Sequence, residues 1–190
     1  MKKIALIIGS IALIASLIGC GNTAAPSGLE GYEDSDVAAI VRGKEITIGD
    51  LRFLYADEDV LTGIEAAAQT ELMIQEAKAK NVNDDLSVKI ASVKASMESV
   101  TFKEQPMEEE ERKFILSQSE KLNMDVNDYF KKYMVMHTEM TWYLLRFYEE
   151  AFRLYDGVDE ELEAYNAELD LFLKNWMTEH EGDIEILITP

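Results

Sequence analysis

From Val126 onward, apolar or aromatic positions recur at Val126, Phe130, Tyr133, His137, Met140, Leu144, Phe147, Ala151 and Leu154, in steps that alternate four and three. That spacing keeps one side of a helix apolar for four heptads and predicts a helix of about 45 Å. The stripe has flanks. Tyr129, Met136 and Tyr143 lie on one side of it, and Met134, Tyr148 and Tyr155 on the other. One packing seam does not require so wide an apolar surface. These six flank residues are the expected peptide-binding positions, the alternative being that each is simply core packed by the other helices, and His137, inside the stripe, is expected to be a packed, hydrogen-bonded core residue.

Shorter patterns surround this helix. Val37 to Val41 reads as a strand, Arg42-Gly43-Lys44 as a turn and Glu45 to Ile48 as a second extended piece. Thr47 and Asp50 have capping-box spacing and predict a helix buried through Leu51, Leu54 and Tyr55. Thr62 and Glu65 repeat the spacing and predict the start of a second helix that stops at Asn81. Asp84 or Asp85 is placed to cap a third, with Val88, Ile90, Ala91, Val93 and Met97. Pro106 suits the first turn of a fourth, where Glu108 to Glu111 complement the helix dipole. Asp156-Gly157 ends the long fifth helix and Asp159 is placed to cap a sixth, with Leu162, Tyr165, Leu169, Phe172 and Trp176 as its apolar stripe. Gly182 ends that helix, and His180 is placed to help satisfy its last carbonyls. The chain then closes on the β-branched run Ile184-Glu185-Ile186-Leu187-Ile188. The pattern gives a mainly α fold with six helices and a small sheet.

The first residues change the picture. Lys2 and Lys3 precede an uncharged, mostly apolar run from Ile4 to Ile18, too short for a membrane span and right for a signal-peptide core. Leu17-Ile18-Gly19-Cys20 resembles the lipobox of bacterial lipoproteins. This implies a signal peptide over residues 1–19, lipidation of Cys20 and anchoring at the extracytoplasmic face of a bacterial cell membrane. Cys20 is the only cysteine, so lipidation also accounts for an otherwise unpaired thiol. Residues 20–35 then form a small-residue tether of about 20 Å, and residues 36–190 a single helical domain. Losing the two leader lysines leaves 16 basic against 37 acidic residues, a net charge of −21. That balance argues against nucleic acid and anionic lipid as partners.

Little in the chain points to catalysis. The two histidines, His137 and His180, are far apart in sequence, no zinc-type spacing is present, and there is no phosphate loop or nucleophile elbow. The acidic run Glu108 to Glu111 fans around a helix and reads as a solvated first turn. The expectation is a protein that is not an enzyme and takes no cofactor and no metal.

The ordered set "VAAIVRGKEITIGDL", "AAAQTELMIQEAKAKNV", "LNMDVNDYFKKYMVMHTEMTWYLL" and "VDEELEAYNAEL" resembles the chaperone domain of SurA- and PrsA-type foldases, related to the peptide-binding arms of trigger factor. The resemblance covers residues 37 to 188. It implies a chaperone lobe whose last strand, Asp183 to Ile188, pairs with Val37 to Val41, and hence a complete domain. It departs from the family where a parvulin isomerase domain is usually inserted, since "VDEELEAYNAELDLFLKNWMTEHEGDIEIL" runs straight through; prolyl isomerase activity is not implied. The partners implied are unfolded or newly secreted polypeptides, with the membrane reached through the lipid. A homodimer is compatible with this reading, and analogy with PrsA favours a Gram-positive cell. The alternative is a dedicated interaction lipoprotein that holds one membrane or cell-wall partner. Eight methionines in the mature chain suit either reading, because Met adapts to varied partners.

Overall fold

The structure, a computed structural model, describes residues 28–80, 86–152 and 162–190. Its elements in order are β1 (Val37–Val41), β2 (Lys44–Thr47), α1 (Ile48–Leu54), α2 (Val60–Lys80), α3 (Leu86–Met97), α4 (Glu109–Lys121), α5 (Val126–Ala151), α6 (Leu162–Glu179) and β3 (Ile184–Ile186). The fold is mainly helical, with one small antiparallel sheet in the order β2-β1-β3.

The sheet joins the two ends of the described chain. Arg42 and Gly43 form a two-residue hairpin between β1 and β2, both with positive φ (47° and 83°), as the strand twist favours in a primed turn. On the other edge of β1, Ala39, Ile40 and Val41 oppose Ile186, Glu185 and Ile184. Three backbone bonds extend the pairing: Arg42 N donates to the Asp183 carbonyl at 2.9 Å, and Leu187 N and Ile188 N donate to the Ala38 carbonyl at 2.9 and 3.2 Å. Ile188 is thereby drawn into the core. The expected closure of the terminal strand onto Val37–Val41 is present.

Thr47 caps α1 in a full capping box: its hydroxyl accepts from Asp50 N at 3.1 Å, and the Asp50 carboxylate accepts from Thr47 N at 3.0 Å. The other end of this short helix is satisfied from a distance. Buried Gln118 donates to the carbonyls of Arg52 and Tyr55, Lys121 donates to the same two at 2.7 Å, and the Tyr129 hydroxyl donates to the Phe53 carbonyl at 3.0 Å. A seven-residue helix is marginal alone; here α4 and α5 hold its open carbonyls.

Several boundaries differ from the sequence reading. α2 begins at Val60, after a 3-10 turn at Asp57–Asp59, so Thr62 lies inside the helix and its hydroxyl donates back to the Asp59 carbonyl instead of capping. α4 starts at Glu109, so Pro106 precedes it. α6 stops at Glu179, ahead of a 3-10 turn at Glu181–Asp183. The His180 ring contacts Asp183 at 2.8 Å instead of helix carbonyls, which take the His180 backbone N–H. The tether expected over 20–35 is shortened. Leu29 packs on the core, Gly49 N donates to the Asp34 carbonyl at 2.9 Å, and Arg52 pairs with Asp34 at 2.7 Å. A Cβ on Gly49 would stand 2.9 Å from that carbonyl, so the docked strap requires glycine there. The leader over residues 1–19, Cys20, the cap and stop positions Asn81, Asp84, Asp85, Asp156, Gly157 and Asp159, and Leu154 and Tyr155 lie outside the described residues.

The buried residues form two main clusters. The larger unites β1, β2, α1 and α2 with Phe147 of α5, Trp176 of α6 and Ile188. The smaller is Phe102, Ile115, Tyr129 and Phe130, flanked by Phe53, Met97, Phe114, Tyr133 and Met134. Among the described residues, α5 is the one helix that supplies buried residues to both.

Candidate functional site

Tyr129 and Phe147 are 18 positions apart, which is about five full helical turns and about 27 Å. They therefore point from the same side of α5, and both are buried, at 0% and 2% exposure. Between them the burial lapses: none of residues 131–146 is buried. Met136 and Met140 lie within about 20° of the Tyr129–Phe147 line at 100° per residue. Both are only half-buried, and neither belongs to either cluster. One face of α5 is thus sealed at its two ends and partly open in the middle.

The middle is bounded by ordered side chains. Tyr129, Tyr133 and His137 stack at successive turns, with ring centroids 5.8 Å apart at each step. Phe114 of α4 lies 5.6 Å from Tyr133. From α2, Lys78 places its Nζ 4.5 Å from the Tyr143 ring centroid and 3.3 Å from Glu139. Burial raises the Tyr133 hydroxyl pKa above the ordinary phenol value, and the nearby Glu111 carboxylate adds to the effect.

The six positions expected to bind peptide divide accordingly. Met136 lies on the half-open stretch. Tyr143 lies at its edge, packed on the larger cluster under Lys78. Tyr129 is a core residue: its ring is fully buried and its hydroxyl is held by the Phe53 carbonyl, so it offers no surface. Burial also drives its pKa strongly upward. Met134 packs on the smaller cluster and Tyr148 on the larger, which separates them from the middle. Tyr155 and the lipidation position Cys20 lie outside the described residues. The flank residues therefore do not form one patch.

His137 corrects the sequence reading in the other direction. It is exposed, not packed in the core, and its ring stacks on Tyr133. Met140, expected as stripe core, is only half-buried for the same reason: the larger cluster begins only at Tyr143 and Leu144. No pattern in the sequence marks this gap, because it depends on where along α5 the neighbouring elements pack.

Other surface features are shallower. An open depression of about 200 Å³ lies between the Arg42-Gly43 turn and Gly182-Asp183, and another of about 280 Å³ beside Leu29 and Arg52. Both fall below the usual volume of a small-molecule pocket. Among the described residues no cluster of three His, Cys, Asp or Glu side chains is arranged to hold a metal, and no helix is long and apolar enough to cross a membrane. Comparison of the chain with protein-family models, with curated proteins and with solved structures finds no match.

Proposed function

We propose that this chain is a non-catalytic, chaperone-like holding protein, anchored through lipid on Cys20 at the outer face of a bacterial cell membrane, Gram-positive by analogy. It binds extended, apolar stretches of unfolded or newly secreted polypeptide on the middle of α5. The observation that carries this reading is the half-open face between Tyr129 and Phe147, where Met136 and Met140 meet solvent although the same side of the helix is sealed at both ends. Methionine suits a surface that must accept varied side chains. The resemblance to the SurA- and PrsA-type lobe supports the same reading, and so does the leader ending in Cys20. A weak, sequence-tolerant hold is what a short apolar face gives, since little area is buried and each contact is replaceable.

The test is suppression of aggregation. The full chain, placed in zwitterionic nanodiscs, is mixed with several unrelated unfolded proteins at stoichiometric amounts. Reduced aggregation of all of them supports the reading. Unchanged aggregation of every client overturns it. Protection of one client alone turns the account towards the dedicated interaction lipoprotein, which the small extent of the half-open stretch also suits. For the anchor, Cys20→Ser is expected to move the protein from the membrane to the soluble fraction.

A further inference from the structure

The chemistry of the docked segment follows from what stands beside the half-open face. α4 and α5 form an antiparallel hairpin. Its register is marked by Gln118 against Tyr129 and by Phe114 against Tyr133. Continuing that register by one turn sets Glu111 level with Met136, and Glu108, at the N-cap of α4, stands about one further turn along. The acidic first turn of α4 thus lies alongside the open middle of α5. The effect of Glu111 on Tyr133 agrees with this placement.

The charge there is not cancelled. Lys113 is occupied by Glu109 and Glu110, at 2.8 and 3.4 Å. Glu108 and Glu111 are exposed and have no ion pair among the described residues. Of the cations near the face, exposed Lys132 stands one turn before Met136 with no ion pair among the described residues, and the others are engaged. Lys78 is bound to Glu139 and Tyr143, Lys131 donates to the Glu98 carbonyl at 2.7 Å, and Arg112 donates to the Gln105 carbonyl and lies over Phe102. The mature chain as a whole carries a net charge of −21 by the count above. Two such copies repel each other, which disfavours a second copy as the occupant.

We propose that the segment accepted by the middle of α5 is extended polypeptide with Lys or Arg beside its apolar residues, the apolar side chains meeting Met136 and Met140 and the cations meeting Glu108 and Glu111. This rests on the reading of that face as a polypeptide-docking surface. Exposed charge pairs are individually weak and screened by salt, so the selection acts as a modest bias, strongest at low ionic strength.

Two fluorescent peptides with the same apolar residues, one flanked by lysines and one by glutamates, test this by anisotropy against the full chain in zwitterionic nanodiscs. The lysine-flanked peptide is expected to bind roughly five- to tenfold more tightly at low salt. Molar salt, and separately the pair Glu108→Gln and Glu111→Gln, is expected to close most of that gap. Equal binding of both peptides overturns the charge selection and leaves the docking surface standing. A preference that survives the Gln pair overturns the assignment to α4. Binding of neither peptide overturns the docking surface as well.

Discussion

Arg42 holds Asp183 twice: its backbone N–H donates to the Asp183 carbonyl at 2.9 Å, and its guanidinium donates to the Asp183 carboxylate at 2.9 and 3.1 Å. The same guanidinium reaches Glu76 of α2 at 3.0 Å. One residue in the hairpin turn thus fastens the last strand to both the first strand and the second helix. Arg42 sits at a positive φ that few side chains adopt, and these bonds offset the cost. Arg42→Ala is expected to leave the helical body folded and to free the C-terminal segment. Native-state hydrogen exchange checks it: the amides of Leu187 and Ile188 are expected to lose about tenfold in protection, with those of α2 unchanged.

Acid releases the same fastening. The Arg42 guanidinium holds the Glu76 carboxyl below its ordinary pKa. His180, and then Arg42, do the same for Asp183. Carboxylates whose pKa is lower in the folded than in the unfolded state contribute stability above their unfolded pKa. They lose it as pH falls through the folded value. The exchange protection of Leu187 and Ile188 is therefore expected to fall below about pH 4, before the core unfolds. In Arg42→Ala this acid step is expected to flatten.

Tyr129→Phe keeps the buried ring and removes the bond to the Phe53 carbonyl. The expected loss is about 1 kcal/mol in urea unfolding. Ile115→Ala, fully buried in the same cluster, is expected to cost more, about 2–5 kcal/mol. A larger loss from the Tyr129 change than from Ile115→Ala would mean that the end of α1 depends on that hydroxyl more than the hydrogen bonds from Gln118 and Lys121 imply.

Gly49→Ala places a Cβ 2.9 Å from the Asp34 carbonyl, which is backbone and cannot swing away. The strap over residues 28–36 is expected to lift, at a cost of about 1–3 kcal/mol. Limited proteolysis reads this directly, as new cleavage between Leu29 and Asp36. If Cys20 is lipidated, the docked strap also brings the domain nearer the bilayer. The eight steps from Cys20 to Gly28 reach at most about 29 Å.

Much of the fold was legible because it rests on local rules. The capping box at Thr47 and Asp50, the Arg42-Gly43 turn and the 3.6-residue stripe of α5 are each decided by neighbours in sequence. The pairing of Ile184–Ile186 with β1 came from the resemblance, and residues 183 to 188 alone carry no mark of their partner. The candidate face was less legible. Tyr129 and Met136 look alike on a helical projection, but Tyr129 meets α1 and α4 whereas Met136 lies in the interval between two clusters. Periodicity finds which side of a helix is apolar; where along that side the neighbouring helices end is a tertiary matter. His137 shows the same limit, since its place in the stripe said core and the gap between clusters left it exposed.

The most direct measurement is site-specific cross-linking to an unfolded client. A photoreactive residue at His137, in the full chain, is expected to capture the client in good yield, and the same group at Val88, which is 70% exposed on α3, is expected to capture little. Equal yields at both positions, or none at 137, would contradict the assignment of polypeptide binding to the middle of α5.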